Sequence, residues 1–348
     1  MGEPPSERRD LRLLPKAHLH LHFTGSLDQP TLAELAAEAG EKLTDELLDP
    51  AALAVPATVR GWFRFQRLYD VARRTVRSEH AMRRVVRQAA INDAAEGSVR
   101  LEIQIDPTSY APYVGGIIEA LEIVLDEART SSQVTGVSIG VIVAASRIRH
   151  PMEARSLARL AVKHIDDGVV GFGLSNDEWS GSTPEWEGAF RIARNAGLPG
   201  VPHGGELRGA DHVRQVVAAL HPARLGHGVR TTEDPQLLEE LVKAGIAFEV
   251  CPSSNVQLGV FPALEDVPLP QLIAAGATVV LGADDPLLFH ARLLAQYELA
   301  REVFALTDPQ LAALARSSIR ASFASDSDKA GWLADVDTWF GKPPAPPH

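Results

Sequence analysis

Cysteine, positive charge and long apolar runs are all scarce in this chain of 348 residues. Cys251 is the only cysteine, which excludes an intramolecular disulfide framework. The 45 acidic residues outnumber the 34 lysines and arginines, and the formal charge of -11 disfavours nucleic acid and anionic membranes as partners. Polar residues interrupt every apolar segment before the ~20 residues that a bilayer span requires. Because the N-terminus also lacks the charged and apolar regions of a signal peptide, we expect a cytoplasmic protein.

Short apolar runs rich in β-branched residues alternate with longer segments of helical period, the pattern of βα units around a parallel sheet. The runs cover residues 17–23, 99–105, 137–144, 169–174, 200–203, 224–227, 246–250 and 278–282. Eight strands that alternate with helices predict an α/β protein built as a closed (β/α)8 barrel, the TIM barrel. We therefore predict a single barrel domain over residues 10–340.

The first two runs are separated by about 75 residues, far more than one crossover helix needs. We expect extra helices over residues 28–98, inserted after the first strand and forming a lid. Within this insertion, residues 59–88 combine aromatic side chains with many arginines, which is typical of amphipathic helix.

Three histidines stand at the ends of predicted strands. His20 and His22 alternate with leucines in the first strand, so both imidazoles lie on one face and can share a metal ion. His203 ends the fifth strand, and the small residues of the following Gly204-Gly205-Glu206 leave room for a ligand. Each histidine alone is explained as well by an ordinary hydrogen-bonded polar residue, whereas the three together favour a metal site.

An aspartate pair ends the eighth run as Asp284-Asp285-Pro286, next to the first strand once the barrel closes. One aspartate can be the N-cap of the following helix, but this does not explain both. Three histidines and a carboxylate make a nitrogen-and-oxygen site suited to Zn2+, although iron and cobalt also fit these donors. We predict one Zn2+ per chain.

Two further residues follow the sixth and seventh strands. His227 lies between two glycines that allow close approach of a substrate or a water, although a buried histidine bonded to backbone is an equal alternative. Cys251 has no matched histidine partner, so packing explains it better than a role as nucleophile.

Five motifs follow one another along the chain: His20-Leu21-His22, His203-Gly204-Gly205-Glu206, Gly226-His227-Gly228, Cys251-Pro252-Ser253-Ser254-Asn255 and Asp284-Asp285-Pro286. In this order, between Leu14 and about Phe289, the chain resembles the adenosine deaminase family. The resemblance implies a hydrolase that acts on the C–N bond of a cyclic amidine. Such an enzyme converts the 6-amino group of an adenine nucleoside to a 6-oxo group with water as co-substrate, and ammonia is released.

The resemblance also implies a role for each motif. His20, His22, His203 and Asp284 would bind Zn2+. Glu206 would share a proton with purine N1, and His227 would orient the attacking water and help to deprotonate it. Asp285 would hold purine N7, and the metal ligand Asp284 would also belong to the catalytic group. Cytidine-type zinc deaminases are excluded, because their ligand motif needs two cysteines.

Three positions depart from the family pattern. Many relatives carry an acidic residue for the ribose 5'-hydroxyl where this chain has Thr24, which offers a hydroxyl but no carboxylate. Asn176 stands where relatives commonly use glycine to present a backbone amide to purine N3. Gln104 replaces a common arginine at the end of the second strand.

Thr24 favours a nucleoside altered at C5', because the usual partner of a free 5'-hydroxyl is missing. Some members that resemble this chain act on 6-amino-6-deoxyfutalosine, a benzoate-bearing nucleoside of menaquinone biosynthesis, and we predict this substrate, with adenosine and purine salvage as the alternative. A carboxylated substrate calls for a cation, and the candidates in the lid are Arg60, Arg64 and Arg67, beside Phe63. A solvated helix face explains the same arginines.

Two other readings stay open. A more distant amidohydrolase could use the same metal site on an amide or an ester, although Glu206 and Asp285 have purine-specific roles by the resemblance. A catalytically silent homologue could bind a nucleoside or a protein partner, although it need not retain the four metal ligands together with Glu206 and His227. The sequence indicates no oligomeric state.

Overall fold

The computed structural model describes residues 8–48 and 59–342 and contains one eight-stranded parallel sheet. Its strands are β1 (Lys16–His22), β2 (Ser98–Ile105), β3 (Ser138–Ser146), β4 (Val169–Ser175), β5 (Gly200–Gly204), β6 (Arg224–His227), β7 (Ala247–Val250) and β8 (Thr278–Leu281), and each pairs with the next. The chain just after β8 then pairs with β1: the Asp284 N–H donates to the His20 carbonyl at 3.0 Å, and the His22 N–H donates to the Asp284 carbonyl at 3.0 Å. The predicted (β/α)8 barrel is confirmed.

The strands form where the sequence has continuous apolar runs because a parallel barrel strand is buried on both faces. All residues of β5, β6 and β7 are buried, and β8 is exposed only at Thr278. The helices that cover the barrel are α1 (Gln29–Ala39), α2 (Asp45–Leu48), α3 (Val59–Arg73), α4 (Glu79–Ala95), α5 (Ala111–Val114), α6 (Ile117–Thr135), α7 (Pro151–Lys163), α8 (Glu187–Asn195), α9 (Ala210–Leu220), α10 (Pro235–Lys243), α11 (Pro252–Gln257), α12 (Leu269–Ala274), α13 (Pro286–Phe289), α14 (Leu293–Glu302), α15 (Asp308–Ala321) and α16 (Asp326–Gly341).

Helices α1 to α4 lie between β1 and β2, where the sequence predicts an insertion. Side-chain caps fix two of their starts: Asp28 accepts from the Thr31 N–H, and Ser78 accepts from the Ala81 N–H. Residues 49–58 of the predicted insertion, and the side chain of Arg60, lie outside the described part of the chain. The role of the insertion as a lid stays a prediction. Within residues 8–48 and 59–342, no helix combines the length and the apolar character that a membrane span needs.

An irregularity in β1 decides which way its histidines point. His18 pairs with Leu101 and Leu21 pairs with Ile103, so three steps along β1 match two steps along β2. This extra residue is a β-bulge, which interrupts the alternation of side chains. His18 consequently contacts Asp93 on α4, in the helical layer, whereas His20 and His22 point into the mouth of the barrel.

Candidate active site

Four histidine rings meet at the carboxyl ends of β1, β5 and β6. The centroid of the His20 ring lies 5.2 Å from that of His22, 4.9 Å from that of His203 and 4.8 Å from that of His227. The rings of His22 and His203 are 5.1 Å apart, and those of His203 and His227 are 5.0 Å apart. Residues that are distant in sequence thus converge at the barrel face where TIM-barrel enzymes place their catalytic groups.

A buried chain of charged residues orients His20. Its Nδ1 lies 2.7 Å from Glu249 on β7, and the other carboxylate oxygen of Glu249 accepts from Arg224 on β6 at 2.5 Å. Arg224 also pairs with Glu102 on β2 at 2.7 Å. Because Nδ1 donates to the carboxylate, the lone pair of Nε2 is directed into the cluster.

Asp284 completes the cluster from the end of β8. One of its carboxylate oxygens lies 3.4 Å from His20 Nε2 and 3.1 Å from His22 Nε2, and the other accepts from the Ser254 hydroxyl at 2.6 Å. Asp284 and His227 have φ angles of 61° and 62°, a region that residues other than glycine rarely adopt. Such strain persists where the surroundings hold it, and it is concentrated at functional sites.

The donor atoms fit a metal ion. The Nε2 atoms of His20, His203 and His227 are buried and lack a hydrogen-bond partner among the described residues. The donor atoms form three overlapping sets, and within each set all atoms lie within 4.8 Å of one another. The sets are His20, His203 and His227; His20, His22 and Asp284; and Glu206, His227 and Asp284. Imidazole nitrogens with one carboxylate are a donor set that suits Zn2+.

Glu206 follows β5 and lies beside this cluster, with a carboxylate oxygen 3.6 Å from His227 Nε2. Burial, and then the nearby carboxylates of Asp284 and Glu178, raise the pKa of Glu206 well above its usual range. Burial lowers the pKa of His227 to about 4, and Asn255 Nδ2 lies 3.3 Å from its Nδ1. Both shifts favour uncharged groups, a protonated carboxyl at Glu206 next to a neutral imidazole at His227.

Glu178, at the end of β4, holds the loop that carries Glu206. Its carboxylate accepts from the backbone N–H groups of Glu206, Leu207 and Arg208 at 3.2, 3.0 and 2.7 Å. Burial by itself raises the pKa of Glu178, but the hydrogen bond and charge of His212 outweigh it, with further help from Arg147 and the Arg208 N–H. The net result lowers this pKa to about 2.

Ionised Glu178 is expected to stabilise the fold in a pH-dependent way. Its folded-state pKa of about 2 lies below the usual 4.5, so the stabilisation is present above pH 4.5 and is lost as the pH falls towards 2. We expect Glu178→Gln to lower the free energy of unfolding by about 3 kcal/mol at neutral pH. Urea denaturation at several pH values measures this; a difference from wild type that fails to shrink between pH 4.5 and 2.5 contradicts the assignment.

Asp285 is buried next to Asp284 and lines the same cavity. Burial and the neighbouring Asp284 raise the pKa of Asp285 well above its usual range, and its Oδ1 has no hydrogen-bond partner among the described residues. Gly25 makes room for this side chain, since a Cβ at residue 25 would lie 1.8 Å from Asp285 Oδ1. The glycine of Thr24-Gly25-Ser26 is thus a requirement of the site that its motif alone did not indicate.

The cavity above these residues encloses about 700 Å³ of empty space, part of which is open solvent. Its floor contains His22, His203, Glu206, His227, Asp284 and Asp285. Its wall on the side of the insertion is one face of α3, formed by Trp62, Phe65, Gln66, Tyr69 and Arg73. Gln104 and Tyr110 from the β2 side also line it.

Several residues that the sequence suggested for substrate binding do line the cavity, and others do not. Asn176 lines it with φ 78°, a left-handed conformation that asparagine tolerates, and its amide donates to Gln66 Oε1 at 3.3 Å. Thr24 is fully buried, and its hydroxyl lies 2.5 Å from that of Tyr110, which separates Thr24 from the cavity. Gly205 is buried below the lining, with its Cα facing Val213.

Three of the helix residues that the sequence suggested as lid contacts have described side chains, and these three lie outside the cavity lining. Phe63 is 59% exposed, Arg64 pairs with Glu46 at 3.5 Å, and Arg67 is exposed; none of the three lines the cavity. Helical geometry explains this, because residues 62, 65, 66, 69 and 73 repeat at intervals of three and four and share one face. Applying that spacing to the sequence would have selected Arg73.

Cys251 is buried, and its Sγ lies 3.6 Å from the Glu249 carbonyl. Burial, with further contributions from the carboxylates around it, raises the pKa of this thiol well above its usual range. A thiol with a raised pKa is a poor nucleophile, which agrees with the packing role.

A cluster of imidazoles and carboxylates at the carboxyl end of a TIM barrel is typical of metal-dependent hydrolases. Comparison with known proteins gives the particular family. The family model described as adenosine deaminase matches residues 15–339, so the chain belongs to the adenosine deaminase family.

Similar proteins have been described under related names. A putative adenosine/adenine deaminase of Streptomyces virginiae is 55% identical over 95% of this chain and 98% of that protein. An adenine deaminase of Rhizobium leguminosarum bv. trifolii is 32% identical over 92% of this chain and 98% of that protein. The crystal structure of an adenine deaminase from Arthrobacter aurescens is 29% identical, with a TM-score of 0.87, and covers 94% of this chain and 100% of that one. Membership of this family makes the chain a hydrolase that deaminates adenine compounds.

Proposed function

We propose that this protein is a zinc-dependent deaminase that converts the 6-amino group of an adenine compound to a 6-oxo group by hydrolysis. The observation that carries the proposal is the position of His227, whose Nε2 lies 3.6 Å from the Glu206 carboxylate and 4.0 Å from the Asp284 carboxylate, beside the unpartnered Nε2 atoms of His20 and His203. An acid, a base and a metal-binding set are what hydrolytic removal of an amino group from a purine requires.

In this proposal, the zinc ligands are His20, His22, His203 and Asp284. The bound ion would lower the pKa of water, which supplies a nucleophile at neutral pH. His227, neutral because burial lowers its pKa to about 4, orients the attacking water and accepts its proton.

The purine is held and activated by the two carboxyl groups with raised pKa values. Glu206, whose raised pKa favours the protonated carboxyl, donates its proton to purine N1, which neutralises the charge that develops as the ring loses aromaticity. The raised pKa of Asp285 likewise favours a carboxyl that donates to N7. Asn176, at the cavity wall, is the candidate for the contact to N3.

Free adenine is the substrate favoured by the relatives, several of which are named adenine deaminase. A second candidate is a nucleoside with an anionic group at C5', such as 6-amino-6-deoxyfutalosine, and adenosine is the third. Thr24 no longer supports the second candidate, because it does not line the cavity. Arg73 supports it instead, since it is the one lysine or arginine among the described residues that line the cavity.

The substrate is decided by comparing kcat/KM for adenine, adenosine and 6-amino-6-deoxyfutalosine on zinc-loaded protein, with ammonia release as the readout. We expect adenine to be preferred. Arg73→Ala then leaves its kcat/KM nearly unchanged, whereas for a carboxylated substrate the same variant raises KM by about 10-fold or more, the scale of a lost charged hydrogen bond.

Arg67→Ala is the matched control, because Arg67 belongs to the same helix and does not line the cavity. A preference for the carboxylated nucleoside that is lost in Arg73→Ala and retained in Arg67→Ala would overturn the choice of adenine. Failure of all three substrates to release ammonia would contradict the proposed reaction.

A further inference from the structure

A buried histidine outside the reaction chemistry contacts the backbone that carries Asp284 and Asp285, and a buried aspartate holds this histidine. His18 on β1 and Asp93 on α4 are both fully buried. The His18 Nδ1 lies 2.9 Å from Asp93 Oδ2 and 3.2 Å from Asp93 Oδ1. On the other side of the ring, Nε2 lies 3.2 Å from the backbone nitrogen of Ala283.

The two contacts fix the tautomer of His18. The Ala283 N–H can only donate, so Nε2 accepts and is unprotonated, and the ring proton is on Nδ1, where it is donated to Asp93. Each ring nitrogen therefore has one partner with the correct polarity. His18 thus forms a bridge from α4 of the insertion, through β1, to the end of β8.

The segment that follows β8 carries two aspartates of the proposed site, so its position determines where their carboxylates lie. Ala283 precedes Asp284 and Asp285, and the Asp284 backbone is itself bonded to His20 and His22 across the closure of the barrel. Asp284 is held with φ 61°, so its conformation depends on the contacts on both sides. The bond from His18 restrains the residue immediately before this strained position.

We propose that His18 and Asp93 are positioning residues that set the placement of Asp284 and Asp285, and through it zinc affinity and purine binding. The inference rests on the proposed function of these two aspartates. The bulge in β1 is what makes the arrangement available, because it turns His18 towards α4 while His20 and His22 face the cavity. An interaction behind the ligands of this kind typically changes metal affinity by about 10- to 100-fold when it is removed.

The experiment measures zinc affinity by competition with a chromophoric chelator, together with KM and kcat for the preferred substrate, in wild type, His18→Leu and Asp93→Asn. His18→Leu removes both hydrogen bonds, and we expect zinc to bind at least about 10-fold more weakly and KM to rise. Asp93→Asn keeps an acceptor for the Nδ1 proton, so this variant is expected to lose less zinc affinity than His18→Leu. If His18→Leu does not fold, Asp93→Ala tests the same bridge from α4.

His164→Leu is the control for loss of a buried histidine that contacts an aspartate, although the Asp167 side chain is 53% exposed. His164 Nδ1 lies 2.9 Å from Asp167 Oδ2, just before β4 and away from the cavity lining. Unchanged zinc affinity in His18→Leu, or an equal loss in His164→Leu, would overturn the positioning role while the proposed function stands. Wild-type protein that binds no zinc would contradict both the positioning role and the proposed function.

Discussion

Replacing Glu206 by glutamine is expected to leave zinc bound and to cut turnover by about 100-fold or more, the scale of positioned acid catalysis. Glutamine keeps the shape of the side chain and can still donate a hydrogen bond, but it has no acidic proton to give to purine N1. The measurement is kcat on protein whose zinc content has been determined. The same variant should bind substrate with little change in KM.

Glu185→Gln is a suitable companion variant, because Glu185 is exposed and caps a short helical turn through the Ser182 N–H. Its turnover should equal that of wild type. Wild-type turnover from the Glu206 variant would remove this residue from the mechanism, and loss of zinc from it would show that the carboxylate serves the metal instead.

Removing the metal is expected to abolish deamination, and adding Zn2+ is expected to restore it. In the proposed site the unpartnered nitrogens of His20 and His203 serve the metal, and a bound Zn2+ is the group that would bring the pKa of water near neutrality. The test is dialysis against a chelator, followed by titration with zinc and assay at each step. Thermal denaturation of the same samples should show a higher midpoint with zinc, because an ion that binds only the folded state stabilises it.

Metal-free protein that stays folded and deaminates at the wild-type rate would contradict zinc dependence. Protein that binds zinc stoichiometrically and still deaminates none of the adenine compounds would instead favour a silent binding homologue. If iron or cobalt restores more activity than zinc, the proposed metal changes to that ion, and the proposed ligands stay the same.

The barrel and the residues at its catalytic face were predictable because they follow from local patterns. All eight predicted runs became strands, since a strand buried on both faces is mainly apolar. His20, His203, Asp284 and their neighbours stand at strand ends, and in a parallel barrel all such ends meet at one face.

Other features of the site depend on geometry that the local pattern does not contain. The direction of the His18 side chain could not be predicted from the sequence, because it depends on the bulge in β1. Simple alternation along the strand would place His18 on the same face as His20. The sequence analysis selected arginines nearer the aromatic residues and did not select Arg73, although helical spacing distinguishes Arg73 from those arginines. Glu249 and Glu102 interrupt apolar runs in the sequence. A charged residue in a buried strand needs a partner, so these two glutamates could have indicated the charged network behind His20.

The closure between β1 and β8 has a consequence for biosynthesis. His20 leaves the ribosome long before Asp284, yet both belong to one donor cluster. A nascent chain can form α1 to α4 and several βα units long before it can hold zinc in this way. Metal acquisition is therefore expected to be a late event that follows completion of the barrel, so a chain truncated before residue 284 would accumulate without the ion.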